Sequence, residues 1–261
     1  MPCAVHAQFT DTFDTIDPAW VTDRYAPAAF QSTSFLGDNR LQITIDQTGS
    51  TLNRSSEFNS SFYNSQGDQR PVGSNGDWSF SANLYVSSAF DTTTGQLVRT
   101  SIWTHTGTTP SNGDYAIFGF TNASPTPSDA LNPAASDRAP HFQVFDGTDA
   151  DPTNWFDAGL PDGFAFDVWH TLEITFTGTA TEYLLDGIEI FTDPTTDGAD
   201  LQTAFIEAYN FGQTDSNGLN SYSVYWDNAT AAVIPEPASF ALIAGLAVFV
   251  VGRKRRTFPK I

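Results

Sequence analysis

The amino-acid sequence predicts an all-β fold, an antiparallel two-sheet jelly-roll sandwich, followed by one short C-terminal transmembrane helix. Three observations carry this expectation. Apolar residues alternate with polar ones along many short segments, as in strands with one buried face. Clusters of Gly, Asn, Asp, Ser and Pro separate those segments. No window ahead of the tail keeps a helical apolar stripe for three turns, whereas residues 238–252 form an uncharged apolar run.

Phe9-Thr10-Asp11-Thr12-Phe13 is the first candidate strand, and Ala29–Phe35 the second. Leu41, Ile43 and Ile45 alternate after the turn residues Gly37-Asp38-Asn39. Trp78, Phe80, Ala82, Leu84 and Val86 alternate with Ser79, Ser81, Asn83 and Tyr85, the clearest such pattern in the chain. Gln96–Trp103, Tyr115–Phe120 and His141–Phe145 follow, then Leu172 to Phe176, Thr181–Leu185, Ile188–Phe191 and Phe205–Phe211, with Tyr222, Val224 and Trp226 closing the series. Asn122 to Pro140 holds four prolines and no apolar pattern, and reads as a long surface loop. Residues 8–231 suffice for one large core and are few for two.

One hairpin narrows the fold. Trp169-His170-Thr171-Leu172-Glu173-Ile174 is followed by Tyr183-Leu184-Leu185-Asp186-Gly187-Ile188-Glu189-Ile190, with Asp-Gly as a favoured two-residue turn. This pair resembles the corresponding hairpin of concanavalin A-like lectin/glucanase (LamG-like) jelly rolls. The resemblance implies that Tyr222 to Ala229 is the final strand, lying beside the first. Trp169, Tyr183 and Trp226 are expected to be core aromatics.

The C-terminal tail has its own logic. Pro235-Glu236-Pro237 precedes the 15-residue apolar run 238–252, and Arg253, Lys254, Arg255 and Arg256 follow it. Apolar residues enter the bilayer while clustered positive charge stays cytoplasmic, so the body is expected on the far side of the inner membrane. As a helix the run spans about 22 Å against a hydrocarbon core of about 30 Å, a short anchor. The arrangement resembles the PEP-CTERM sorting signal of Gram-negative bacteria. That resemblance implies recognition and cleavage by a membrane-embedded exosortase and delivery to the cell surface or extracellular matrix. Ala4-Val5-His6-Ala7 reads as the end of a signal peptide whose basic and apolar parts are encoded upstream of Met1. The expected layout is therefore a signal-peptide remnant (1–7), the sandwich (8–231), a linker (232–237), the transmembrane helix (238–252) and a basic cytoplasmic tail (253–261).

Charge restricts the partners. Ahead of Arg253 the chain has six arginines, no lysine and 30 acidic residues, a net charge of −24. Such a body repels nucleic acid and anionic lipid. The lone Cys3 excludes a disulfide framework.

Motifs for catalysis are sparse. Retaining jelly-roll glucanases carry a Glu-x-Asp-x-x-Glu pattern on one strand, and no such pattern occurs; the six glutamates (Glu57, Glu173, Glu182, Glu189, Glu207, Glu236) are scattered. His6, His105, His141 and His170 show no metal-ligand spacing, and no G-x-S-x-G elbow exists. Asp146, Asp149 and Asp151 place three carboxylates within six loop residues, a candidate Ca²⁺ site, because calcium takes several oxygen ligands. Trp155 beside Asn154 and Asp157 is a candidate sugar-binding group, the ring stacking while amide and carboxylate bond hydroxyls. Trp103 with His105 is a second option. These features lead to the expectation of a non-catalytic, lectin-like surface or matrix module that binds polysaccharide or serves a structural role. The alternative is a divergent glycoside hydrolase, which paired carboxylates in the groove of the sandwich would favour.

Overall fold

The computed structural model describes residues 6–46, 64–91, 96–107, 114–123, 139–148, 155–194, 198–211 and 221–234. Among the described residues fifteen strands run in chain order: β1 (His6–Asp11), β2 (Val21–Thr22), β3 (Ala29–Phe35), β4 (Asp38–Ile45), β5 (Ser65–Pro71), β6 (Trp78–Val86), β7 (Arg99–Thr106) and β8 (Asp114–Thr121), then β9 (His141–Thr148), β10 (Trp155–Gly159), β11 (Val168–Phe176), β12 (Thr181–Leu185), β13 (Ile188–Asp193), β14 (Leu201–Tyr209) and β15 (Tyr222–Val233). The only helical element among the described residues is the 3₁₀ turn Ser88–Phe90.

The strands form two antiparallel sheets. One has the order β13-β12-β11-β6-β15-β4-β3, with β1 pairing the end of β15; the other has the order β10-β9-β8-β7-β14-β5-β2. The all-β two-sheet sandwich is thus present. The tail from Pro235 onward, with the apolar run 238–252, lies outside the described residues; among those described, no helix is long and apolar enough to cross a membrane.

Alternation builds the core. In β6, Trp78, Phe80, Ala82, Leu84 and Val86 are buried while the intervening residues are partly exposed. Leu172, Ile174, Tyr183, Val224 and Trp226 join them from the same sheet, and Ile102, Phe118, Phe142, Val144 and Ile206 face them from the other. Fully burying each large apolar side chain contributes about 1.5–3 kcal/mol before entropy is counted. Polar groups bridge the sheets: the Tyr222 hydroxyl donates to the Tyr209 carbonyl (2.6 Å), and the Trp226 indole to the Thr100 hydroxyl (3.0 Å).

Several boundaries differ from the sequence reading. The first strand begins at His6 and ends at Asp11, and Phe13 follows with a positive φ of 57°. His6 and Ala7 pair with Val233 and Ala232. Trp169 is not a core residue: it sits half-buried on the outward face of its sheet, under the Arg40 guanidinium (5.5 Å). The Asp186-Gly187 turn forms as expected, with φ of 52° and 77°, the positive pair a two-residue type I′ hairpin requires.

Candidate active site

The seven-stranded sheet sends Ala204, Ile206 and Ala208 of β14 into the core, so the intervening Phe205, Glu207 and Tyr209 project from its other face. Register then sets two rows across that face. One runs Gly67, Glu207, Ser101, Gly119, Gln143, Asp157; the next runs Gln69, Phe205, Trp103, Ile117, Phe145, Trp155. The first row is a floor of small and polar groups, and the second a ridge of aromatic ones. Trp103, Phe205 and Tyr115 pack within 6.4 Å of one another, centroid to centroid, and His105 lies 4.8 Å from Tyr115.

Glu207 is the centre of this face. It is 1% exposed, and neither carboxyl oxygen finds an N–H or O–H donor. Burial pushes its pKa well above the ordinary carboxylate value; the nearby Arg24 opposes the rise, whereas the neighbouring carboxylates Asp23 and Asp68 reinforce it. Arg24 grips Asp23 at 2.6 Å and reaches Glu207 Oε2 at 3.8 Å, with its guanidinium 5.1 Å from the Trp103 ring centroid. Asp68, buried beside Thr22, has its pKa pushed up to about 6.

Local backbone explains how Asp23 gets there. The edge strand β2 pairs with β5, and the next residue, Asp23, donates its N–H to the Gly67 carbonyl (3.1 Å). Gly67 stands directly opposite Glu207. A Cβ on Gly67 would lie 2.1 Å from the Ile206 carbonyl oxygen, so only glycine fits this close approach.

Of the residues singled out from sequence, Trp103, Trp155 and Asp157 share this face. Trp155 lies 5.2 Å from Phe145 and beneath Arg99, and Asp157 accepts from the Gly159 amide (2.8 Å). Farther along the floor, Gln143 Nε2 is buried without a partner. Asp146 belongs to β9, opposite Ala116. Asn154, Asp149, Asp151 and the sorting residues Pro235, Glu236, Pro237, Arg253, Lys254, Arg255 and Arg256 lie outside the described residues. Among those described, no group of three or more His, Cys, Asp or Glu is placed to hold a metal.

The sequence reading missed Asp23, Arg24, Asp68 and Glu207. The one available signal was Glu207 itself, a lone carboxylate inside the apolar stretch Ala204-Phe205-Ile206-Glu207-Ala208-Tyr209.

No family profile matches the chain, and neither does any curated protein. Solved structures do resemble it. The GH16 protein of a Bacteroides ovatus mixed linkage glucan PUL, in complex with G4G4G3G product, is 12% identical, with a TM-score of 0.54 over 87% of this chain and 99% of its own. The Bacillus licheniformis β-glucanase is 14% identical, with a TM-score of 0.50 over 86% and 97%. The Crh5 transglycosylase in complex with NAG is 9% identical, with a TM-score of 0.52 over 91% and 89%. At these identities the likeness establishes the jelly-roll fold. The neighbours are named as glucanases and a transglycosylase, which stands against the expectation of a non-catalytic, lectin-like module.

Proposed function

We propose that this chain is a glycan-cleaving or glycan-transferring enzyme acting on an extracellular polysaccharide, with Glu207 as the proton donor. One observation carries the reading: a buried carboxyl with its pKa pushed well above the ordinary range, 3.8 Å from the Arg24 guanidinium and beside the aromatic ridge of Trp103, Phe205 and Tyr115. Cleavage of a glycosidic bond needs an acid still protonated near neutrality to neutralise the departing oxygen, and raised pKa is how a carboxyl meets that need. Asp23 holds Arg24 in place, and Arg24 supplies positive charge next to the carboxylate left after transfer. The fold neighbours, named for glucan cleavage and transglycosylation, support the same class.

The test is reducing-end release and product-length analysis on neutral β-glucans. Removing a positioned proton donor lowers rates by about 100-fold or more, so Glu207→Gln should lose activity to that degree and Asp23→Asn less. Parent protein inert on every β-glucan tested, or Glu207→Gln as active as the parent, would overturn the proposal.

For location, Pro235-Glu236-Pro237, the apolar run and the basic cluster support an exported chain, anchored transiently in the inner membrane and sorted by an exosortase. Fractionation of cells expressing the chain with and without residues 235–261 tests this. Equal distribution of the two forms would refute it.

A further inference from the structure

The eight-stranded sheet carries a second cluster on its own outward face, apart from Glu207. Tyr225, Tyr85 and Trp169 stand opposite one another on three adjacent strands. Phe35, from the end of β3, lies flat on Tyr225 (centroids 3.7 Å, planes 7° apart) and 5.0 Å from Tyr85. All four rings are partly exposed.

Hydrogen-bonding groups border the rings. Asp227, Asn83 and Thr171 form the neighbouring row, with the Thr171 hydroxyl donating to Asn83 Oδ1 (2.9 Å). At the end of the ring row, directly opposite Tyr225, stands Gln42, whose amide donates to Ser223 (3.2 Å). A bulge after Asp227, with Asn228 at φ 50°, bends β15 at this point. Asp227 is 4% exposed; one oxygen receives Arg40 (3.1 Å) and Asn228 (2.9 Å), but Oδ1 has no partner. Bulges are frequent where a strand re-aims side chains at a ligand, and an unsatisfied buried carboxylate oxygen is a costly feature that a hydroxyl donor relieves.

We infer that this face is a second binding surface, and that its occupant is an uncharged polysaccharide chain. Sugar rings present C–H faces that stack on aromatic rings and hydroxyls that bond amides and carboxylates. Charge argues against anionic polymers. Among the described residues the one cation of the patch, Arg40, is already engaged by Asp38 (3.0 Å), Asp227 and the Trp169 ring, and the body as a whole is strongly acidic. The ring row crosses three strands, about 10 Å, room for a disaccharide unit. This surface would hold polymer independently of the site around Glu207.

The experiment uses the Glu207→Gln chain, so that turnover plays no part. Affinity electrophoresis in gels containing barley β-glucan, laminarin, dextran or alginate measures retardation for this chain and for versions adding Trp169→Ala or Tyr225→Ala. Circular dichroism and thermal melts confirm folding, and Gln42→Ala, a change at a partly exposed polar side chain, provides a milder variant. Retardation by a neutral polymer, weakened at least tenfold by either ring substitution and measurably by Gln42→Ala, supports the surface. No retardation by any neutral polymer, retardation by alginate alone, or retardation unchanged in the ring variants overturns it. So does self-association in sedimentation velocity that vanishes with Trp169→Ala, which would make the occupant a second copy of the chain. Loss of hydrolysis in Glu207→Gln with retained binding separates this surface from the proposed active site.

Discussion

The indole of Trp226 donates to the Thr100 hydroxyl at 3.0 Å, and Thr100 in turn donates to the Glu207 carbonyl at 2.8 Å. A buried relay therefore runs from the centre of one sheet to the backbone of the residue that anchors the candidate site on the other. Replacing Thr100 with Val keeps the shape and removes both bonds, leaving a buried indole N–H and a strand carbonyl short of partners. The expected cost is about 1–3 kcal/mol, read as a lower midpoint in urea unfolding. Activity should fall as well, because the strand presenting Glu207 loses its support.

Stability should decline as pH rises from acid toward neutrality. Glu207 and Asp68 have pKa values raised in the folded state, so the native protein holds protons that the unfolded chain gives up. Their contribution is complete below the unfolded values and is lost as pH climbs through the folded ones; for Asp68 that window runs from about 3.8 to about 6. Thermal midpoints between pH 4 and pH 8 should fall less steeply in Asp68→Asn and Glu207→Gln. A parent curve that rises across the window would contradict the assignment.

Gly67→Ala should be severe for a conservative change. The added methyl meets the Ile206 carbonyl at 2.1 Å, against backbone that cannot yield cheaply. Overpacking of this kind costs about 1–3 kcal/mol, and it should also displace Asp23 from Glu207. A thermal melt combined with the reducing-end assay reads both effects.

Gly187→Ala tests the hairpin turn alone. Nothing lies within 4 Å of the added Cβ, yet φ is +77°, so the penalty is purely backbone, about 1–2 kcal/mol. Activity per folded molecule should be unchanged.

Much of the body was legible in sequence because its strands have one wet and one dry face. β3, β6 and β12 fall where alternation puts them. Alternation failed where it was not the governing force. β5, Ser-Gln-Gly-Asp-Gln-Arg-Pro, has no aliphatic residue and is buried through hydrogen bonding and close backbone approach. β14 begins at Leu201, four residues ahead of the expected Phe205, because its first turns are polar. Trp103, Trp155 and Asp157 were recognisable as ligand-type residues, and they do share a face. The acidic pair was not recognisable, since Asp23 and Glu207 meet only after two distant segments fold together. Local spacing rules read contacts within a strand and are silent on those between strands.

β15, the last strand made, occupies the middle of its sheet, between β6 and β4, and also receives β1. Until residue 233 has emerged from the ribosome, the sheet has a gap at its centre and the opening strand has nowhere to dock. The nascent polypeptide therefore cannot complete this sheet until nearly its entire body has been synthesised.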